Sequence, residues 1–236
     1  MYSMQHTRWE ILQYLKRKTS GTVEEFASAL SLAPMTVRQH LAVLEREGLI
    51  RHTEQRKGPG RPSYIFALST QAEDLFPKGY DKLAERLLQE LSSLQSEEIS
   101  GLSEVGKIDY IMRRMAERVA NDYSYEIRGI TIEERGPEVI ALLREHEGTL
   151  SEWIHAEDGF HIEDINCPYQ RVAKEEPSLC TWHVSLLSHM LKTGIEVEQC
   201  MATGDASCLY HVTAGGMSGE QQMRFPLSPT PPRIIA

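Results

Sequence analysis

Four residues able to act as soft metal ligands or redox thiols, Cys167, Cys180, Cys200 and Cys208, are all the cysteines of this 236-residue chain. Random placement would bring four residues so close together only about two times in a hundred, so the clustering asks for a cause. In a reducing compartment such thiols serve as metal ligands or redox groups more often than as disulfides. Structural zinc favours paired C-x₂₋₄-C knuckles, which are absent here, whereas an iron–sulfur cluster takes thiolates from separate segments more readily. Spacing alone leaves zinc and a cluster open, and buried unliganded cysteines are the plain alternative.

The elements around the thiols sharpen their roles. Cys167 precedes Pro168, where a strand gives way to a loop. Cys180 falls just before or within the first turn of a helix expected over Trp182–Leu191, where amides and the helix dipole favour thiolate. Strands over Ile195–Met201 and Ser207–Val212 flank Thr203-Gly204-Asp205. A symmetric three-residue loop centred on Gly204 makes Cys200 and Cys208 cross-strand neighbours, with Cβ atoms about 4.5–5.5 Å apart. A two-residue loop shifts the register by one and turns Cys200 to the other face. His183, three residues after Cys180 on the same helical face, is the competing donor. The candidate metal ligands are thus Cys167, Cys180, Cys208, Cys200 and His183. Other histidines (His146, His155, His161, His189 and His211) are dispersed, and a lone histidine is seldom a ligand. No HExxH, GxSxG or phosphate-binding Gly-rich loop occurs, so no enzyme is expected.

The N-terminal third has a different logic. Arg8–Lys18 reads as an amphipathic helix with Trp9 and Leu12 at its buried edge. Thr22-Val23-Glu24-Glu25 is a capping box opening a short helix with Phe26, Ala29 and Leu30 inward. After the turn Ser31-Leu32-Ala33, Pro34 suits the first position of a helix running to about Glu47, which Gly48 closes. Val37, Leu41 and Leu44 form its buried stripe, leaving Thr36, Arg38, Gln39, His40 and Arg46 as candidate DNA contacts. Strand-like Leu49–Thr53 and Tyr64–Leu68 enclose a basic, Gly/Pro-rich tip carrying Arg56, Lys57 and Arg61. Helix, helix, turn, helix and a basic hairpin is a winged helix-turn-helix: the third helix fits the major groove and the wing holds phosphates.

Between these parts, Tyr80–Leu94 places Leu83, Leu87, Leu91 and Leu94 on one stripe. From Glu104 to about Asn121, Val105, Ile108, Met112, Met115 and Val119 step as a heptad seam, which fits core packing and a dimer contact equally well. Further on, Glu138–His146 is expected as a helix, and Trp153–His155 and Phe160–Ile165 as strands around Glu157-Asp158-Gly159. The expected fold class is α+β: a winged helix-turn-helix over 1–77, a helical linker and dimerisation region over 78–103, an α+β sensor domain over 104–217, and a loose tail over 218–236.

The net charge of −9 is uneven: residues 1–77 carry 10 Lys/Arg against 8 Asp/Glu, and the excess of acid lies beyond them. Only the first part could face DNA comfortably. The longest apolar run, Val139–Leu143, is far below the roughly 20 residues of a membrane span. Met1–Leu15 lacks the apolar core of a secretory signal. A cytoplasmic protein without membrane contact is expected.

Two resemblances follow. Pro34-Met35-Thr36-Val37-Arg38-Gln39-His40-Leu41, Gly48-Leu49-Ile50 and Gly58-Pro59-Gly60-Arg61-Pro62 resemble the ArsR/DeoR-like bacterial winged-helix repressors over roughly residues 6–77. Asn166-Cys167-Pro168-Tyr169, Cys180 after a gap of twelve, and Gly204-Asp205-Ala206-Ser207-Cys208 resemble the sensor domain of SufR-like repressors. That resemblance implies a [4Fe–4S] cluster governing DNA binding, target genes for cluster assembly, and operator release on cluster loss. The chain departs from the four-cysteine pattern: Gly194 stands near the expected third cysteine, and Cys200 is out of step. The expected protein is a homodimeric repressor of a palindromic, double-stranded operator. The alternatives are a regulator answering to zinc, thiol redox state or an organic effector, and a metal-dependent enzyme with an accessory helix-turn-helix.

Overall fold

The computed structural model describes residues 6–55 and 63–216. The expected wing-tip residues Arg56, Lys57 and Arg61 and the expected tail over 218–236 lie outside the described residues. The chain divides into two compact units, Met1–Lys78 and Gly79–Ala236.

The first unit is built from α1 (His6–Lys18), α2 (Val23–Ala29), α3 (Pro34–Arg46), β1 (Ile50–Gln55), β2 (Ser63–Leu68) and a short α4 (Thr70–Glu73). Its core is the apolar stripe of each helix: Ile11, Leu12 and Leu15 from α1, Val23 and Phe26 from α2, and Val37, Leu41 and Leu44 from α3. Burying a side chain of this kind stabilises by about 1.5–3 kcal/mol. Thr22 and Glu25 close the capping box at the start of α2. Gly48, at φ +73, takes the left-handed conformation that ends α3 and turns the chain into β1. Two inward positions are corrected. Ala29 is exposed, because α2 ends there, and Trp9 is only half-buried, lying 5.2 Å from the Phe76 ring.

The second unit comprises α5 (Tyr80–Ser93), α6 (Glu104–Tyr123), α7 (Ile132–Leu142), β3 (Ser151–Ala156), β4 (Gly159–Asp164), α8 (Gln170–Glu175), α9 (Cys180–Leu191), β5 (Thr193–Gln199) and β6 (Cys208–Gly216). The strands form one antiparallel sheet in the order β3-β4-β6-β5. Its inner face, including Ile162, Tyr210 and Val212, joins one core with α6, α7 and α9. The architecture is thus α+β, with the helix-turn-helix first.

Several expectations about this unit are corrected. Residues 80–93, expected as a linker, belong to the second unit and give Leu83 to its core. The stripe of α5 does not reach Leu91, which is 55% exposed; Glu90 is buried in its place. At 100° per residue, position i+7 returns to the face of Leu83 while i+8 swings well away from it. Glu90 is held there by Arg114 Nε at 3.0 Å and Arg118 Nε at 2.7 Å. The heptad seam of α6 is intramolecular at Met112, Met115 and Val119, which pack in the core, whereas Val105 is 66% exposed. The helix expected from Glu138 begins six residues earlier, because Thr131 and Glu134 form a capping box and Pro137 is carried inside α7.

Candidate metal centre

The four cysteines reach one cavity from different elements. Cys167 lies in the loop after β4, Cys180 is the first residue of α9, Cys200 follows β5 and Cys208 opens β6. Together with Asp164, Tyr169, Trp182, His183 and Tyr210 they line its wall. None of the four is in a disulfide, and Cys200 and Cys208 are buried. Cys180 Sγ stands 3.8 Å from Cys200 Sγ.

The register question at Gly204 resolves through a feature that neither simple loop contains. In the body of the β5–β6 ladder Val197 faces Tyr210, but at its end Gln199 faces Leu209. A β-bulge at Glu198 therefore shifts the register by one just before the site. Continued one step, the shifted register sets Cys200 opposite Cys208. The connection itself is longer than three residues, spanning 200–207. Gly204, at φ +115, permits its tight bend. Asp205 Oδ2 accepts the Cys200 N–H at 2.8 Å, and the Cys200 carbonyl accepts from Thr203 N at 3.1 Å. Gly204-Asp205 thus earns its place by fixing Cys200.

Backbone amides of this loop are aimed at sulfur. Met201 N donates to Cys208 Sγ at 3.3 Å, and the Ala202 and Thr203 amides act on Cys200. The Cys180 and Cys208 thiols, donating to Cys200, hold it far below the ordinary thiol range despite burial. Cys180 and Cys208 are pushed up by that same hydrogen bonding and by burial. The thiolate expected at the start of α9 meets two opposing influences at Cys180, the hydrogen bond with Cys200 and burial. The short 3₁₀ turn Pro177–Leu179 also runs directly into α9. Cys180 and Cys208 thus both turn their thiols toward Cys200, an arrangement a cation would relieve.

His183 lines the same cavity, but its Nε2 lies 2.8 Å from Asp164 Oδ2, at an angle outside hydrogen-bond geometry. Asp164 Oδ1 and Trp182 Nε1 are buried at this wall with no hydrogen-bond partner among the described residues. Buried polar atoms of this kind ask for an unshown partner. The donor set and its N–H···S contacts fit a thiolate-bound metal group.

Behind the cavity lies a buried polar network missed by the sequence reading. Arg86 of α5 grips Glu147 through two bonds of 2.7 and 2.6 Å, Tyr123 donates to Glu147 at 2.5 Å, and Tyr169 donates at 3.3 Å. Burial pushes the Glu147 carboxyl up, but Arg86, Tyr123 and Lys82 together hold it below its ordinary value. Arg86 also sits over the Trp182 ring at 5.4 Å. Alternating hydrophobic patterns carry no signal for such pairs, since Arg86 and Glu147 are 61 residues apart. The structure also brings His161 and His211 side by side as partners on β4 and β6.

In the first unit, α3 exposes Arg38, Gln39 and Arg46 and leaves Thr36 and His40 half-buried. Arg38 Nη2 lies 3.5 Å from Glu24 Oε1, both side chains being largely solvated.

A family model described as a helix-turn-helix domain matches residues 5–53. Over 49 residues the chain is 37% identical to the major pilus subunit operon regulatory protein of Escherichia coli, covering 21% of this chain and 64% of that protein. Over 88 residues it is 39% identical to a riboflavin kinase of Thermococcus kodakarensis, covering 35% of this chain and 36% of that protein. The chain thus spans less than two thirds of either relative's length. No solved structure matches the chain. Among the described residues no helix is long and apolar enough to cross a membrane. The chain therefore carries an N-terminal helix-turn-helix domain of the kind found in a bacterial operon regulator, joined to an α+β domain whose four cysteines share one cavity.

Proposed function

We propose that the chain is a DNA-binding transcriptional repressor whose operator binding is controlled by an iron–sulfur cluster of the [4Fe–4S] type, held by Cys167, Cys180, Cys200 and Cys208. The observation that carries this reading is the convergence of four thiols on one cavity with loop amides aimed at the sulfurs. Cys200 takes the fourth position because its sulfur stands 3.8 Å from Cys180 Sγ, whereas His183 Nε2 lies beside Asp164 Oδ2. A bound cluster supplies redox and iron sensitivity. The protein supplies what that state can move. Thiols tied together fix the Cys167 loop, the start of α9 and the β5–β6 end relative to one another. Once unligated, they repel or protonate and the tie is gone.

That tie reaches the first residue of the second unit. Gly79, the first residue of the second unit, donates its N–H to the Pro168 carbonyl at 3.3 Å, one residue from Cys167. A Cβ at Gly79 would come within 2.7 Å of the Tyr169 ring, so the contact leaves no slack. A shift of the Cys167–Pro168–Tyr169 loop would therefore displace Gly79 and the start of α5. On DNA, Arg38 and Gln39 read base edges and Arg46 holds phosphate, with Thr36 and His40 at the edges of the same helix. Exposed Leu88, Leu91 and Val105 offer apolar surface for a homodimer on a palindromic operator. Release of the operator on cluster loss, and cluster-assembly genes as targets, follow the SufR resemblance.

A second reading is a single zinc ion. The 3.8 Å Cys180–Cys200 separation equals the edge of a ZnS₄ tetrahedron, about 3.8 Å from Zn–S bonds of about 2.3 Å. Against it, no three of the sulfurs fall among the ligand groups whose atoms lie within 4.8 Å of one another among the described residues. The set is wider than one ion asks. Anaerobic purification with an absorption spectrum and iron and sulfide analysis decides. Brown protein with comparable iron and sulfide supports the cluster; colourless, iron-free protein after reconstitution overturns it, and zinc retained by the four thiols establishes the second reading.

A further inference from the structure

We infer that the outer face of the sheet carries a second metal site, formed by Asp158, His161, His211 and Glu198, for a divalent transition-metal ion of the zinc type. It is independent of the cysteine centre. His161 of β4 and His211 of β6 are directly opposed, with rings 4.9 Å apart and nearly parallel at 25°. Asp158 comes from the β3–β4 turn, and ligand atoms of Asp158, His161 and His211 all lie within 4.8 Å of one another. Glu198 is the bulged residue of β5, and its Oε1 stands 3.6 Å from His161 Nε2. Asp158 Oδ2 stands 3.8 Å from the same nitrogen.

Those two distances are the argument. Both exceed the reach of a hydrogen bond, yet carboxylates from two separate elements converge on one imidazole nitrogen. Zinc bonds of about 2.0–2.2 Å to nitrogen and oxygen give tetrahedral edges of about 3.3–3.5 Å. The observed gaps close onto an ion with movements of a few tenths of an ångström. His161 is 9% exposed, which fixes its ring, whereas Asp158 and Glu198 are solvated enough to adjust. The His211 Nε2 contact to the Asp158 carbonyl, long at 3.4 Å, is weak enough to yield to a metal bond. Two imidazoles and two carboxylates are the donor set of zinc and its neighbours rather than of magnesium or calcium.

Zinc dialysis against the full chain, with cobalt as a spectroscopic stand-in, tests the site. Asp158→Asn and His211→Ala, both at positions outside the core, should each lose one zinc equivalent while the cobalt–thiolate charge-transfer band is unchanged. A variant with all four cysteines replaced by serine should retain that one equivalent, bound without a thiolate band. Unchanged zinc stoichiometry in both single variants overturns the inference. So does loss of all bound zinc in the cysteine-free variant, provided its circular dichroism is that of the folded protein.

Discussion

The two units place their functional groups on opposite sides of the packing boundary. In the first, Leu12, Phe26, Val37, Leu41 and Leu44 make a core with no chemistry in it, and Arg38, Gln39 and Arg46 stand in solvent. In the second, Cys200, Cys208, Glu147 and Asp164 are themselves buried. A surface that reads DNA must stay solvated until the partner arrives, so its residues contribute little to folding. A thiol centre must exclude water, so its residues and their supports are part of the core. Stability and function should therefore separate in the first unit and merge in the second.

The largest effect should come from Arg86→Leu. Glu147, with a fully buried carboxylate, loses the bidentate partner that offsets its desolvation. Breaking one side of a buried pair costs about 3–5 kcal/mol, to be read from the calorimetric transition of the second unit. The sign with pH is fixed. Because the folded-state Glu147 pKa lies below its ordinary value of 4.5, its contribution is present above that pH and lost as pH falls through the folded value. The deficit of the variant should be largest at neutral pH and shrink as pH falls, first as burial lets the unpaired carboxyl take a proton above the ordinary carboxylate range, then as pH passes the depressed wild-type value. A loss under 1 kcal/mol at pH 7 would break the comparison.

An intermediate effect belongs to Thr22→Ala in the first unit. The Glu25 amide loses the Thr22 hydroxyl at 3.3 Å, while the 2.6 Å bond from Thr22 N to Glu25 survives. Loss of an N-cap of this kind costs about 1 kcal/mol. Chemical denaturation should show a lower midpoint for the first unit and an unchanged transition for the second, since no residue of the second unit is touched. A shifted second transition would mean that the units do not divide their labour in this way.

What was legible in the chain follows the same boundary. The helix-turn-helix could be read because Val37, Leu41 and Leu44 repeat with helical period, and Thr22/Glu25 and Gly48 mark their own elements. In the second unit the clustering of the cysteines was visible, but their geometry was not. A one-residue bulge at Glu198, with no glycine or proline to announce it, decides which way Cys200 faces. Leu91 was expected on the buried stripe, whereas the buried position is Glu90, whose burial only its pairing with Arg114 and Arg118 from another helix makes tolerable. His161 and His211 are fifty residues apart in sequence and adjacent only through strand order. Local period is written in neighbours; long-range polar pairing is not.

The smallest effect on folding, and the sharpest test of the contrast, should be Arg38→Ala. Arg38 is exposed, and its 3.5 Å approach to Glu24 joins two side chains that are 53% and 70% solvated. Surface ion pairs of this kind are worth about 0–1 kcal/mol, and a solvated substitution stays within about 0.5 kcal/mol. The same guanidinium on the outer side of α3 should nevertheless contribute about 1–3 kcal/mol to base discrimination. Affinity for the operator should fall roughly tenfold to a hundredfold, with nonspecific affinity changed less and the denaturation midpoint unmoved. Equal losses on specific and nonspecific DNA would assign Arg38 to phosphate instead of bases. A shifted midpoint would show that the exposed face of α3 is held in the fold after all, and the division between a solvated face and a buried thiol cavity would fall with it.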